Sequence, residues 1–208
     1  MDALLLLLLD SRSPAGAHNH SAGMEAAVAR GLVQSMPDVE AFCGARLRTS
    51  GRLAAQAAAS ACAGPADWAA LEAEFDARTP SEAVRTASHA LGRGLLRLVR
   101  AMLPAFDPPP TTHHPLVLGA AVAAAGGSPG LAARAAALGT VSVPASAAVR
   151  LLGLDPFAVQ AMLARLAATI DAGGVAAVPP AQWTAAALPA LDLLADHHLT
   201  TEVRLFAS

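Results

Sequence analysis

Residues 79–102 read TPSEAVRTASHALGRGLLRLVRAM, and the spacing within this stretch decides the fold. Apolar side chains recur at Ala83, Ala87, Leu91, Leu95, Leu98 and Met102, in steps of four and three. Such steps line one face of an α-helix, because 3.6 residues complete a turn. Thr79-Pro80-Ser81-Glu82 supplies a cap at Thr79, a first-turn proline and a glutamate three residues after the cap, the signals of a helix start. A second stripe, Arg85, His89, Arg93 and Arg97, repeats at steps of four and predicts a solvated face, or a patch for an acidic partner. Gly92-Arg93-Gly94 falls inside the helical pattern, where small residues allow helices to pack closely.

The same punctuation continues on both sides. Ser128-Pro129 and Asp155-Pro156 repeat the cap-then-proline pattern, and Gly126-Gly127 and Gly173-Gly174 read as helix ends. Helices are expected near 2–10, 21–34, 38–62, 66–77, 81–104, 115–125, 129–139, 144–153, 156–172 and 181–202. Asp107 to His114, with Pro108-Pro109-Pro110, is the clearest loop. The expectation is an all-α fold: a single-domain helical bundle of about ten helices over residues 1–208, joined by short connections.

Composition agrees. The 208 residues are 54% apolar, mostly alanine and leucine, and only 3% aromatic. Alanine and leucine favour helices, and strand formers are scarce. The net charge of −2 and pI near 6.4 argue against a nucleic-acid partner. All 14 basic residues are arginine. A chain without lysine has no Walker-type phosphate loop and no Schiff-base chemistry. Cys43 and Cys62, on one continuous helix, would stand roughly 28 Å apart at about 1.5 Å per residue. A disulfide needs less than about 7 Å, so two free thiols and a cytoplasmic setting are expected. Mean hydropathy is +0.46. The apolar runs Ala3–Leu9 and Leu116–Ala125 both fall short of the roughly 20 residues that span a bilayer. They are read as core helices, with no membrane partner.

Histidines are the main candidates for chemistry. His18-Asn19-His20 has the spacing of a paired metal ligand, although it lies in a loop punctuated by Pro14 and Gly16. His113-His114 precedes Pro115 in an expected surface loop. A metal-binding or metal-dependent helical enzyme would be built on His18, His20, His197 and His198. No Gly-x-Ser-x-Gly elbow is present, and neither cysteine has an obvious activating neighbour. The residue-level expectation is a helical protein without catalytic residues, acting through protein partners. The segment from Leu9 to Glu25, which joins two apolar helices, is a connector capped by Ser21 or a functional loop.

That segment resembles the urease accessory protein UreF family. Asp10, Ser11, Pro14 and Gly16, followed by His20, Ser21, Gly23 and Glu25, match the family's opening motifs. Arg85, Ala87, Ser88 and Gly92, then His114-Pro115, then Ala148, Arg150 and Leu151, continue the likeness. Arg204-Leu205-Phe206-Ala207-Ser208 resembles the family's closing motif. Ala26 and Ala27 stand where relatives often carry aromatics. The resemblance implies an all-helical homodimer that is not an enzyme. It implies binding to the accessory protein UreD (also UreH), recruitment of the GTPase UreG, and docking on the urease apoprotein for GTP-dependent nickel insertion. Nickel would be handled by the complex, with no cofactor bound stably by this chain. It also implies a tail near 197–208 that is ordered by a partner. Arg12, His20, Glu25, Arg204, Leu205 and Phe206 would be the partner-binding residues.

Overall fold

The structure, a computed structural model, describes residues 2–10, 20–65, 67–184 and 188–198, leaving aside the side chains of Asp2, His197 and His198. Arg12, His18, Arg204, Leu205 and Phe206 lie outside the described residues. Within them the chain forms α1 (Asp2–Leu8), α2 (Met24–Ala29), α3 (Met36–Arg46), α4 (Arg52–Cys62), α5 (Trp68–Ala77) and α6 (Glu82–Met102). It continues with α7 (His114–Ala124), α8 (Pro129–Leu152), α9 (Pro156–Gly173) and α10 (Pro189–His198). The all-α expectation holds.

Caps set the boundaries. Ser81, Ser128 and Asp155 accept from the backbone N–H of Val84, Leu131 and Phe157 and so start α6, α8 and α9; at α6 the cap is Ser81 and not the expected Thr79, so Pro80 precedes the helix and Glu82 is its first residue. Ser35 opens α3 through a capping box with Asp38, whose Oδ2 accepts from the Ser35 N–H at 3.0 Å. Ser21 does not cap α2, contrary to expectation. Gly23 holds that position with φ of 85°, which glycine tolerates without a Cβ clash, and the helix is shorter than expected.

Two other expectations are corrected. The expected helix 38–62 is one rod, but a π-turn at Leu47–Gly51 interrupts it. Helices expected at 129–139 and 144–153 are joined as α8, with Pro144 inside. Proline has no N–H, so the Thr140 carbonyl four residues earlier loses its helical donor. The Arg46 Nε–H donates to that carbonyl at 3.2 Å and fills the gap. The π-turn packs on α8 at this point, where a Cβ on Gly51 would come within 2.7 Å of Thr140 Oγ1. The two irregularities are therefore complementary: one rod bulges where the other has lost a hydrogen bond.

Alanine explains how closely the rods pack. Every residue from Leu53 to Cys62 in α4 is buried, against α7 on one side and α8 on the other. In α7, a Cβ on Gly119 would sit 2.3 Å from the Ala58 carbonyl oxygen, so the crossing needs glycine. Alanines of α8 enter three apolar clusters, one with α2, α3, α9 and α10, one with α1, α4, α6 and α7, and one with α4. By length and composition α8 could cross a membrane, but Ala132, Ala133, Ala136 and Ala137 are buried in the bundle. Cys43 and Cys62 are both free, as expected from their separation, and both are buried.

The expected helix 181–202 is also corrected. The chain after α9 runs without regular structure to a 3₁₀ turn at Pro180–Gln182, and α10 follows separately. Trp183 pins this segment. Its Nε1–H donates to Ser60 Oγ at 3.2 Å, and its carbonyl accepts from Arg78. Three prolines at 179, 180 and 189 prevent a longer helix.

Candidate functional site

The stretch from His20 to Gly23 and helix α10 meet over one cavity. Helix α2, which follows the His20-Ser21 motif, packs on α8 and α10. Helix α10 also packs on α6, where Asp196 accepts from Ser81 Oγ at 2.5 Å and from the Ala83 N–H at 3.4 Å. A carboxylate at a helix N-terminus is favourable, because the free N–H groups and the helix dipole both attract it. Below lies a mainly apolar cavity of about 270 Å³, with walls from His20, the π-turn, α6, the start of α7, the middle of α8 and α10.

Few charged groups face it. Arg46 is there because of Thr140. Burial lowers its pKa, and Cys43 and Asp192 raise it, so the guanidinium stays protonated in the ordinary pH range. Burial and neighbouring Asp196 raise the Asp192 carboxyl above the usual range, while Arg46 pulls it back. His114 is pushed down to about 4 by burial and then by nearby His20. His20 thus faces a neutral imidazole. Glu25 stands in the first turn of α2, half-buried, and its helix lies against α10. His197 and His198 end α10, with side chains outside the described residues.

Beside the cavity is a hydrogen-bonded group that the sequence did not reveal. His113 was expected in a surface loop, but it is completely buried. Its Nε2 lies 3.0 Å from Asp76 Oδ1 and its Nδ1 lies 3.2 Å from Ser88 Oγ. Its ring stacks on His89, centroids 3.8 Å apart, and meets Phe75 at 4.9 Å. The basic stripe on α6 is therefore split. Arg93 and Arg97 are exposed, while His89 and Arg85 turn into this group. The signal was present in Gly92. A Cβ there would lie 1.8 Å from the Thr112 carbonyl oxygen, so the 111–113 segment must run directly along α6.

Ser88, His113 and Asp76 have the order of an acyl-transfer triad, but the setting is wrong for one. Ser88 Oγ already accepts from the His114 N–H at 3.1 Å. Ser88 also lies in the interior of α6, where backbone N–H groups are used within the helix and cannot form an oxyanion hole. Cys43 is pushed up to about 11, chiefly by burial, so it is an inert thiol at neutral pH. Of metal-type ligands, the described residues bring together Glu72, His89 and His113; of the expected histidine group only the His20 side chain lies within the described residues.

A mainly apolar cavity walled by the His20–Gly23 stretch, α6 and α10 is compatible with more than one kind of protein. Comparison with known proteins decides which. Residues 33–167 match the UreF family model. The chain belongs to the UreF family. A urease accessory protein UreF of Mycobacterium sp. (strain JLS) is 44% identical over 208 residues, covering 98% of this chain and 97% of the relative. The same-named protein of Mycolicibacterium vanbaalenii is 43% identical, covering 99% and 98%. That of Mycobacterium tuberculosis (strain ATCC 25177 / H37Ra) is 38% identical, with the same coverage. Such UreF proteins are named as accessory proteins and not as enzymes. From the two stretches that carry the resemblance, His20 and Gly23 before α2 and Ala87 and Ser88 on α6 line the cavity.

Proposed function

We propose that this chain is a cytoplasmic, homodimeric scaffold for maturation of the urease nickel centre. It binds the accessory protein UreD/UreH and recruits the GTPase UreG. The assembly docks on apo-urease for GTP-dependent nickel insertion, with nickel as cargo of the complex. Near-full-length identity to proteins named urease accessory protein UreF carries this reading. The absence of lysine from the sequence supports it, since nucleotide hydrolysis by a Walker-type loop must then come from a partner.

In this reading, Arg12 and Glu25 hold the N-terminal motif near the C-terminal region, His20 contacts a partner, and Arg204, Leu205 and Phe206 form the partner-facing end. The packing of α2 on α10 agrees with a shared surface for the two ends. Arginine and aromatic anchors suit the centre of such an interface. The test is co-purification of the Arg204→Ala chain with UreD/UreH and UreG. The expected result is retained folding with loss of GTPase recruitment. Unchanged recruitment would remove Arg204 from the contact, and unchanged urease activation in a strain lacking this chain would remove the function.

A further inference from the structure

The geometry points to a second site, outside the cavity. We propose that Glu72, His89 and His113 bind one divalent transition-metal ion of the zinc type. The ion would tie α5, α6 and the 111–113 segment together. This goes beyond the scaffold reading, which gives the chain no resident metal, and it does not rest on it.

One donor atom from each of the three side chains lies within 4.8 Å of the others. Ligands about 2.1 Å from a tetrahedral ion stand roughly 3.4 Å apart. The three therefore need to draw in by at most about 1.4 Å, and the two free to move are the half-buried ones, Glu72 and His89. His113, fully buried, stays fixed. The His89 ring leaves its 3.8 Å stack on His113 and turns its edge toward the ion.

Each ligand already has a partner of the kind that orients metal-bound side chains. Asp76 holds His113, Thr112 Oγ1 holds His89 Nδ1 at 2.7 Å, and Thr111 Oγ1 donates to Glu72 Oε1 at 3.1 Å. His89 and Glu72 thus have one atom held and another to offer. His113 has both ring nitrogens engaged, and it would give up the longer bond, to Ser88, for the ion. Glu72 and Asp76 supply negative charge, and Arg85, 3.8 Å from Asp76, offsets part of it. Two imidazoles and a carboxylate suit zinc, cobalt or nickel rather than calcium or magnesium. Three protein ligands leave a fourth position for water.

The experiment titrates the chelator-treated full chain with Co²⁺, followed by its d–d absorption, and with Zn²⁺ by calorimetry. One equivalent per chain is expected. His89→Ala and Glu72→Gln should weaken binding at least tenfold, and Asp76→Asn about 10- to 100-fold. His20→Ala should leave it unchanged. Circular dichroism checks that the variants fold, and Zn²⁺ should raise the melting temperature of the native chain but not of His89→Ala. No saturable binding, or binding lost on His20→Ala and kept on His89→Ala, would overturn the proposal. Because the isolated chain is used, failure here leaves the accessory role standing.

Discussion

Single residues in this molecule are tuned toward inertness. Cys43 is buried against the Val141 carbonyl, and its thiol is pushed up from 9.0 to about 11. Below pH 9 the thiol is protonated in both the folded and the unfolded chain, and its contribution to stability is fully present. As pH rises from 9 toward 11 the unfolded thiol ionises and the folded one does not, so stability falls by roughly 1.4 kcal/mol for each pH unit crossed. Denaturation of Cys43→Ala between pH 8 and 11 should show a flatter decline than the native chain. A thiol reagent at pH 8 should leave Cys43 and Cys62 unmodified until denaturant is added; fast labelling of the folded chain would contradict their burial. The cysteine reading was legible in the sequence because helical rise alone separates the two thiols. The burial of His113 was not legible, because it depends on α5, which contributes Asp76 and Phe75 from far along the chain.

At the scale of elements, the informative pair is Arg46 and Pro144. The Arg46→Ala chain loses the donor to a buried carbonyl that proline has already orphaned, at a cost of about 1–3 kcal/mol. Pro144→Ala returns an N–H to Thr140, so the Arg46→Ala penalty should shrink in that background. A urea-denaturation double-mutant cycle measures the coupling. Additive penalties would show that Arg46 acts through something other than this carbonyl. Glycines mark the other close approaches. A methyl at Gly92 or Gly119 would meet backbone oxygen at 1.8 or 2.3 Å, so Gly92→Ala and Gly119→Ala should each cost several kcal/mol or fail to give soluble protein. Gly153, with φ of 63° and open space around it, should cost only about 1 kcal/mol as alanine, from backbone strain alone. Comparison of expression and melting temperature separates the two classes. The sequence showed Gly92 as a packing glycine but not its neighbour, since helix period says which face is small and not what lies against it.

Over the whole molecule, the bundle is held by two alanine-rich rods, residues 36–62 and α8, that share buried surface at several levels. Alanine lets the rods approach closely and leaves the polar work to a few side chains at irregular points. The cavity lies beside those points, between the His20 motif and α10. Loss of GTPase recruitment in Arg204→Ala with unchanged melting temperature would separate an interface role from a folding one at this scale.

The sequence by itself determined the helical class, most helix starts, the separation of the thiols and the lack of a lysine-dependent phosphate loop. These follow from period, capping chemistry and composition, which act within a few residues. It also carried the family motifs. Only the tertiary structure decided that Pro144 continues α8 instead of breaking it, since the missing bond is supplied by Arg46 from another rod. Only the fold could bring Glu72, His89 and His113 together, because hydrogen bonds from α5, α6 and the 111–113 segment hold them in place. Such long-range partners leave no periodic trace in the chain that they join.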